Sequence, residues 1–272
     1  MKNSTSWHTI NADIQKKELW RLLYRLCNTL NNRWFPNARD PQLDIRDFAC
    51  DITEADWQRL DLRRSPSRIL SNLFWLKLPW QALQAELGQL DIFDTGCGDG
   101  TYGVRLQEYA QQSLACYTGV DQRHHARWDT LMAQHSALHF AQVQSADIAG
   151  HIPATATLFI TQSALEHFTE DLTYFQQVHS FIQRAQRSVL QVHLLPSAAC
   201  LRLYRHHGVR QYTPRTLSMI TRMFQAHSYA VLYKLGGQAC NTLHWQTITR
   251  PQPHLRNIRQ MNPADWQQWL FP

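Results

Sequence analysis

The chain has 272 residues, enough for one large domain or for one domain with a smaller appendage. Hydrophobic residues make up 44% of it, which suffices for a full core, and its formal net charge is +6. The sequence contains no run of about eighteen apolar residues and no signal-peptide pattern at its start, so it predicts a cytoplasmic protein without a membrane-spanning helix.

The basic charge balance suits a nucleic acid, an anionic membrane surface or a phosphorylated substrate. The arginines are scattered rather than gathered into a stripe, which disfavours nucleic acid as a partner. The six cysteines show neither the paired spacing of a metal site nor a disulfide framework, and we expect thiols in a reducing compartment.

The residues before position 89 are predicted to be mostly helical. Residues 14–33 carry leucines at spacings of three and four, with basic residues on the other side. This pattern favours a helix whose leucine stripe packs on the main domain; the alternative is a helix lying on a membrane surface, because basic and aromatic residues flank the stripe. Three more helices are expected, one beginning at a capping box at residues 53–56, one over 67–78 and one over 80–87.

From Leu90 onward, strand and helix patterns alternate, which predicts a parallel sheet with helices on both faces. Only Gly236-Gly237 and a few residues separate the last two strands, so we expect a hairpin and one antiparallel strand. The predicted fold class is α/β, a seven-stranded, mostly parallel sheet with one antiparallel strand and an N-terminal helical cap. Strands are expected near 90–95, 116–120, 138–143, 156–161, 187–193, 228–235 and 241–248, and helices near 102–112, 125–135, 169–184 and 215–226.

These patterns divide the chain into three parts. Residues 1–88 form the helical cap, residues 89–248 form the α/β domain, and residues 249–272 form a C-terminal tail expected to pack back on that domain. The tail carries Pro251, Pro253 and Pro263, and Trp266, Trp269 and Phe271 lie near its end.

The most informative stretch runs from Asp94 to Gly100, directly behind the apolar residues 90–93. Its alternating glycines allow positive φ angles and remove side chains from a contact surface. Because a strand precedes this glycine turn and a helix follows it, its backbone N–H groups converge on one place where a ligand can bind. The sixth position of a dinucleotide fingerprint, which requires glycine, is Thr101, and this disfavours a dehydrogenase.

Three more segments follow the glycine turn in order. A second apolar strand ends in Asp121, whose carboxylate can accept hydrogen bonds from both hydroxyls of a ribose. Ala146-Asp147-Ile148 comes next, and residues 157–167 end in Leu165-Glu166-His167. Together with the glycine turn, these segments resemble the motifs of the class I S-adenosylmethionine-dependent methyltransferases.

The resemblance implies S-adenosyl-L-methionine as the cofactor. It places Asp94 near the cofactor's amino group, Asp121 on the ribose, and Asp147 against the adenine amino group with Ile148 on the ring. Thr157 departs from the family, since many relatives carry an acid at the start of that strand. The cofactor-binding residues implied in this way are Asp94, Gly96, Cys97, Gly98, Gly100, Tyr102, Asp121, Gln122, Asp147, Ile148, Thr161 and Gln162.

Transfer to a hydroxyl acceptor also requires removal of a proton. His167 and His193 are candidate bases because imidazole titrates near working pH, and His193 is expected to face the mouth of the pocket. In related proteins a histidine at the position of His167 often serves packing. Tyr212 is the third catalytic candidate.

Residues 204–212 form the densest polar and aromatic cluster of the chain. Arginine and histidine together suit a phosphate or carboxylate on the acceptor, and a solvated loop is the alternative. A metal ion held by His206, His207 and a carboxylate is disfavoured because adjacent histidines point apart on a strand, so no metal is expected. The candidate substrate-binding residues are Arg205, His206, His207, Arg210 and His244.

Three functions compete. The first is O-methylation of a small molecule or a bacterial surface glycan, because residues 67–75 loosely resemble methyltransferases linked to surface polysaccharide synthesis. The second is methylation of RNA or protein, favoured by the positive charge but lacking the Asn/Asp-Pro-Pro-aromatic sequence of amino-methylating nucleic-acid enzymes. The third is a partner subunit that binds the cofactor without catalysis.

Overall fold

A computed structural model describes residues 3–15, 17–34, 38–62 and 64–250. The predicted packing of the tail 249–272 concerns residues that lie almost wholly outside this part of the chain. Within the described part, no helix is both long enough and apolar enough to cross a membrane.

The centre of the fold is a five-stranded sheet in which every neighbouring pair is parallel, in the order β4-β3-β2-β5-β6. This order places β2, which precedes the glycine turn, in the middle and leaves β6 at one edge. The first five predicted strands, between residues 90 and 193, are confirmed. The strands of this sheet are β2 Leu90–Thr95, β3 Leu114–Asp121, β4 Leu138–Gln142, β5 Leu158–Gln162 and β6 Leu190–Leu194.

The predicted antiparallel hairpin at the end of the sheet is wrong. Residues 241–248, expected as its last strand, are helical, in α10 (Gln238–His244) and a short π-helical turn that follows it. The strand β7 (Val231–Lys234) pairs in parallel with β1 (Asp44–Asp47) in a separate two-stranded sheet. In α10, the side chain of Cys240 packs inward and is buried in the core.

Helices cover both faces of the main sheet, as predicted. Along β2, Ile92 belongs to one buried cluster and Phe93 to the other, because successive strand residues point to opposite faces. The remaining helices are α1 Glu18–Trp34, α2 Glu54–Gln58, α3 Pro66–Leu76, α4 Trp80–Leu87, α5 Thr101–Ala110, α6 Arg127–Gln134, α7 Asp171–Ala185, α8 Cys200–Leu203 and α9 Pro214–Phe224.

The predicted helices before residue 89 are present, and α2 begins at the expected capping box of Thr53 and Asp56. The orientation favoured for α1 is wrong, since the helix turns its leucine stripe outward. Its buried residues are Tyr24, Cys27, Asn28 and Asn31. The amide of Asn28 donates to the carbonyl of Val209 at 3.2 Å, so hydrogen bonds from the polar face attach this helix to the body.

The leucine stripe of α1 is exposed together with aromatic side chains at both ends of the helix. Leu19 is 75% exposed and Leu22 is 58% exposed, although leucine usually lies inside a protein. We call this surface the α1 apolar face; it consists of Leu19, Trp20, Leu22, Leu23, Leu26 and Trp34.

Residues 3–13 form hydrogen bonds with residues much later in the chain. The backbone N–H of Thr5 donates to Asp171 Oδ1 at 2.8 Å, and the Thr5 hydroxyl also contacts this carboxylate. The N–H of Ala12 donates to the carbonyl of Gly208 at 2.9 Å. The first residues of the described chain therefore help to hold the loop 204–209 in place.

Candidate functional site

The glycine turn has the backbone shape that its sequence predicts. Gly96, Gly98 and Gly100 have φ angles of +78°, +56° and +80°. A Cβ at Gly96 would lie 2.4 Å from the Cβ of Ala164, and one at Gly100 would lie 2.7 Å from the ring of Phe140. A Cβ at Gly98 would meet no atom within 4 Å. Packing within the protein thus requires two of the glycines, whereas Gly98 faces open space.

Asp121 holds this turn in place. Its Oδ2 accepts from the N–H of Gly98 at 3.0 Å, and its Oδ1 accepts from the N–H of Arg123 at 3.0 Å. A carboxylate offers about four acceptor positions, so two remain for a ribose. On the other side, the indole of Trp128 donates to the carbonyl of Gly98 at 2.9 Å. Sequence reasoning gave Asp121 a role toward the ligand alone and missed its role in holding the turn.

Asp94 lies beneath the turn and is fully buried. The Tyr117 hydroxyl donates to its Oδ2 at 2.5 Å, while its Oδ1 has no hydrogen-bond partner among the described residues. Burial raises the pKa of Asp94 to about 7, and the hydrogen bond from Tyr117 opposes part of that rise. A cationic group near Oδ1 would restore the ionised carboxylate.

Helix α3 closes the site from above. The indole of Trp75 donates to Gln162 Oε1 at 2.6 Å, and the Tyr102 hydroxyl donates to Asn72 Oδ1 at 2.7 Å. The other amide ends, Gln162 Nε2 and Asn72 Nδ2, are buried without a hydrogen-bond partner in the described part of the chain. Because buried polar atoms are normally paired, these donors indicate a polar ligand or ordered water beside the turn. The sequence assigned Tyr102 and Gln162 to the cofactor and missed Asn72 and Trp75.

The other implied cofactor residues lie along the same edge of the sheet. Gln122 follows β3 and donates to Ser145 Oγ at 2.8 Å, which joins the end of β3 to the short 3-10 helix over 145–151. Within that helix Asp147 is exposed and Ile148 is buried. Cys97 is buried in the glycine turn, and burial raises the pKa of its thiol.

His193 is partly exposed and lines the open groove described below. Its ring packs against Tyr174 and Phe175 of α7, with ring centroids 5.8 and 5.0 Å away, and its Nδ1 lies 3.0 Å from Oγ1 of Thr161. Burial lowers the pKa of His193 to about 3. An imidazole with such a pKa is neutral at working pH and is a weak base, so the environment does not favour the predicted catalytic role. Thr161 is fully buried beside it.

Tyr212 and Arg210 belong to a buried hydrogen-bond network, and Tyr212 also lines the open groove described below. The Tyr212 hydroxyl donates to Asp171 Oδ2 at 2.9 Å, and burial raises its pKa well above the usual value. The Arg210 guanidinium is fully buried and donates to the carbonyls of Phe168 at 2.5 Å and Thr169 at 2.8 Å. These contacts occupy the Tyr212 hydroxyl and the Arg210 guanidinium within the chain, and the catalytic role of Tyr212 and the acceptor-binding role of Arg210 stay predictions.

The remaining acceptor candidates lie around the loop 204–209. Arg205 is exposed, with its guanidinium 5.7 Å from the ring of Trp245. The ring of Tyr204 lies between His207 at 5.6 Å and His244 at 4.7 Å. His244, predicted in a strand, is buried in α10, and burial lowers its pKa.

His167 and His207 approach each other, with ring centroids 4.7 Å apart. His167 Nδ1 lies 2.7 Å from Asp13 Oδ2. The pKa of His167 is raised overall. Burial alone would lower this pKa, but the hydrogen bond with Asp13 and the charges of Glu166 and Asp13 outweigh the effect of burial. The adjacent His206 points elsewhere, toward Tyr24, with a ring-centroid distance of 6.2 Å.

An open groove of about 2080 Å³ borders these residues. It runs from the start of α3, at Ser67, past Ser163 and Glu166 to β6, the outer strand of the five-stranded sheet. His207 also lines it, whereas the described glycine turn does not. Among the acceptor candidates His207 lines this groove, and the catalytic candidates His193 and Tyr212 line it as well, whereas Arg205, His206, Arg210 and His244 are not among its lining residues.

No protein-family model matches the chain, and no curated protein matches it. Solved structures do match. One is an S-adenosylmethionine-dependent methyltransferase from Mesorhizobium loti, 18% identical over 44% of this chain and 56% of that chain, with a TM-score of 0.29. Another is the bifunctional kinase-methyltransferase WbdD, 17% identical over 58% and 34%, with a TM-score of 0.36. A third is a SAM-dependent methyltransferase from Archaeoglobus fulgidus, 13% identical over 80% and 95%, with a TM-score of 0.40.

The chain thus spans about half of the Mesorhizobium loti chain and about a third of WbdD. Likeness at these identities concerns the fold alone and assigns neither an acceptor nor a catalytic residue.

Proposed function

Given the class I methyltransferase fold of its central sheet, we propose that this chain is an S-adenosyl-L-methionine-dependent methyltransferase. One observation carries the proposal. At the carboxyl edge of the sheet, Gly98 leaves its α-carbon open to a ligand while Asp121 fixes the Gly98 N–H and keeps acceptor positions for a ribose.

The cofactor, when bound, supplies a methyl group activated on a sulfonium sulfur. The residues of the chain then have to orient donor and acceptor and exclude water. Asp94 Oδ1 would accept from the amino group, Asp121 would accept from the ribose hydroxyls, and Asp147 with Ile148 would hold the adenine. Helix α3, through Trp75 and its bond to Gln162, would close the site above these groups.

We propose a hydroxyl of a small molecule or of a glycan as the acceptor. The groove supports this class because it has hydroxyl, imidazole and carboxylate groups at its inner end, supplied by Ser163, Tyr204, His207 and Glu166. Methylation of RNA or protein remains the alternative, and so does a cofactor-binding subunit without turnover. Incubation with radiolabelled cofactor and separate phosphorylated-sugar, RNA and protein acceptors distinguishes the three.

Calorimetric titration with S-adenosylmethionine tests the proposed cofactor site. We expect micromolar binding, which corresponds to about −8 kcal/mol. Asp121→Ala should weaken it about 10- to 100-fold, because the variant loses the ribose acceptor and the bond that fixes Gly98. Absence of binding to the natural chain, or equal binding by Asp121→Ala, would contradict the proposed site.

Gly98→Ala separates the cost of backbone strain from the loss of ligand contact. A positive φ costs alanine about 1–2 kcal/mol, and no neighbouring atom adds to that cost. We expect a folded variant whose affinity for S-adenosylhomocysteine falls about tenfold or more, since the new methyl group occupies the ligand's side of the turn.

Gly88→Ala is the matched control for this variant. Gly88 also has a positive φ, +79°, and open space around its Cα, but it ends α4 away from the turn. Gly88→Ala should lose at least as much stability as Gly98→Ala in thermal unfolding, because Gly88 combines its positive φ with a ψ of −140°. Only Gly98→Ala should lose affinity. Equal affinities for the two variants would indicate that no ligand touches Gly98.

We further propose that the α1 apolar face lies on an anionic membrane surface. Its exposed leucines and tryptophans are flanked on the same helix by the basic residues Arg21, Arg25 and Arg33, and the chain carries a net charge of +6. Apolar side chains beside basic ones suit the headgroup region of a bilayer that contains acidic lipids. The polar face of α1 holds the loop beside the groove, so this docking would bring the acceptor groove close to the membrane.

Cosedimentation with vesicles tests this surface. We expect binding to vesicles containing phosphatidylglycerol, weaker binding to pure phosphatidylcholine, and a loss of about tenfold or more in Leu22→Gln/Leu26→Gln. Tyr229→Gln, which alters a residue 92% exposed elsewhere, is the control and should bind normally. Vesicle binding that survives the double substitution would exclude this face, and a dimer that the same substitutions disrupt would assign it to a second copy of the chain.

A further inference from the structure

Beside the groove, Glu166, His167 and His207 present ligand atoms to a single point. One atom from each side chain lies within 4.8 Å of the other two. We infer that these three residues bind a divalent transition-metal ion of the zinc class, at a place where the sequence predicted none.

The distances suit an ion between the three groups. Nε2 of His207 lies 3.4 Å and Nε2 of His167 lies 3.9 Å from Oε1 of Glu166. Ligand atoms bonded to a tetrahedral ion at about 2.1 Å stand about 3.4 Å apart, so the distance between His207 and Glu166 already fits, and Nε2 of His167 has to approach Glu166 by about 0.5 Å.

The environment of the Glu166 carboxylate is a second observation that indicates a bound cation. Its side chain is only 1% exposed, and neither carboxylate oxygen accepts a hydrogen bond from the described residues. A buried carboxylate without hydrogen bonds is costly unless a cation compensates it. A bound divalent ion would supply the missing charge.

Asp13 orients one of the imidazoles. Its Oδ2 lies 2.7 Å from Nδ1 of His167, and this contact leaves Nε2 directed toward Glu166. A carboxylate on the far nitrogen of a histidine is the usual support of a metal ligand, because it fixes the ring and raises its basicity.

The loop that carries His207 is fixed as well. Asp13 Oδ1 accepts from the N–H of Gly208 at 3.2 Å, and the Tyr24 hydroxyl donates to the carbonyl of His207 at 2.6 Å. Gly208 has a φ of +63°, and a Cβ there would lie 2.6 Å from the carbonyl oxygen of Glu166. Only glycine therefore lets the loop approach Glu166 closely enough to bring His207 to it.

The set of donors indicates the class of ion. Two imidazoles and one carboxylate suit Zn²⁺ and its neighbours in the first transition row rather than Mg²⁺ or Ca²⁺, and three protein ligands leave a position for another molecule. Glu166 and His207 line the groove, so that position faces the acceptor side. The role of the ion rests on the proposed function: it would bind the acceptor hydroxyl and ease loss of its proton to water or a neighbouring base.

Titration of the metal-free full chain with Co²⁺ and Zn²⁺ tests the site without any methyl transfer. We expect one equivalent of Co²⁺ to produce visible d–d absorption, which one equivalent of Zn²⁺ then removes. Glu166→Gln and His207→Gln should weaken binding about 100-fold, and Asp13→Asn about tenfold, since it acts through His167. His206→Gln, which changes the neighbouring histidine, should bind as the natural chain does.

Circular dichroism of each variant shows whether it is folded, and Asp13→Asn keeps the test decisive if the ligand variants are not. The inference is overturned if the natural chain shows no stoichiometric Co²⁺ spectrum, or if the ligand variants bind like His206→Gln. S-adenosylmethionine binding by the metal-free chain is measured separately, so failure of the metal site and failure of the cofactor site remain distinguishable.

Discussion

Asp171→Ala is expected to lower the free energy of unfolding by about 3–5 kcal/mol. In the folded chain this fully buried carboxylate accepts from the Thr5 N–H and the Tyr212 hydroxyl and lies 3.4 Å from Nη1 of Arg210. Removing it leaves the buried Arg210 guanidinium without its compensating charge. It also leaves three donors, the Thr5 N–H and the hydroxyls of Thr5 and Tyr212, without this acceptor. Urea denaturation followed by tryptophan fluorescence measures the loss.

Two control variants show whether the loss of stability comes from the Asp171 carboxylate. Asp171→Asn retains an acceptor for Thr5 but not the charge for Arg210, and we expect a loss between that of the alanine variant and zero. Glu170→Ala removes the adjacent exposed acid and should change stability by less than about 0.5 kcal/mol. If Asp171→Ala proves as stable as Glu170→Ala, the network does not hold the N-terminal residues in place.

Asp94→Asn is expected to stabilise the ligand-free protein at alkaline pH and to abolish tight cofactor binding. The asparagine keeps an acceptor for the Tyr117 hydroxyl and removes a charge from the interior. It also removes the anion that we assign to the cofactor's amino group. Thermal unfolding and calorimetric titration of the same samples measure the two opposite effects.

The pH dependence follows from the raised pKa of Asp94. The folded chain binds this proton up to a pH of about 7, whereas the unfolded chain releases it at about the ordinary value of 3.8. Between these values the folded state binds more protons, so the contribution of Asp94 to stability falls as pH rises. At pH 8 the gain in Asp94→Asn is at most on the order of 4 kcal/mol, and the gain disappears near pH 4.

Asp91→Asn is the matched control, because Asp91 is a buried acid at the opposite end of β2. It should leave cofactor affinity unchanged. In the natural chain, affinity for S-adenosylmethionine should increase from pH 5 to pH 7, as the ammonium group favours the ionised form of Asp94. A stability difference that is constant with pH, or normal affinity in Asp94→Asn, would contradict the role assigned to Asp94.

The glycine turn and its strands could be predicted because their signals are local. An apolar run, an acid and alternating glycines specify a strand and a turn within about a dozen residues, and the structure has β2 and the positive φ angles of Gly96, Gly98 and Gly100 there. The parallel order also follows from alternation of strands and helices.

The direction of α1 could not be predicted because periodicity identifies a face without stating what lies against it. Its leucine stripe predicted that the leucines are buried. The helix instead contacts backbone carbonyls of the loop 207–209, and the polar side chains of Tyr24 and Asn28 donate hydrogen bonds to them. The hairpin failed for a related reason. β1 has the sequence Asp-Ile-Arg-Asp, which carries no strand signal, so the alternative pairing of β7 was not foreseeable.

The cluster at Glu166 also lay beyond sequence reasoning. Glu166 stood inside a recognised motif, but His207 and Asp13 are brought to it by turns far away in the chain. The ring of His206 lies against Tyr24, whereas the ring of His207 lies against His167, 40 residues earlier in the chain.

The attachment of residues 3–13 determines when this protein can finish folding. Thr5 must wait for Asp171, 166 residues later, and Ser4 must wait for Arg210, 206 residues later. During synthesis the first segment therefore leaves the ribosome long before its partners exist, and the central sheet can pair before that segment docks. We therefore expect the loop 204–209, which is bonded to Ala12 and Asp13, to become ordered late in folding. A bulky fusion placed ahead of residue 3 should then slow folding around the groove more than folding of the glycine turn.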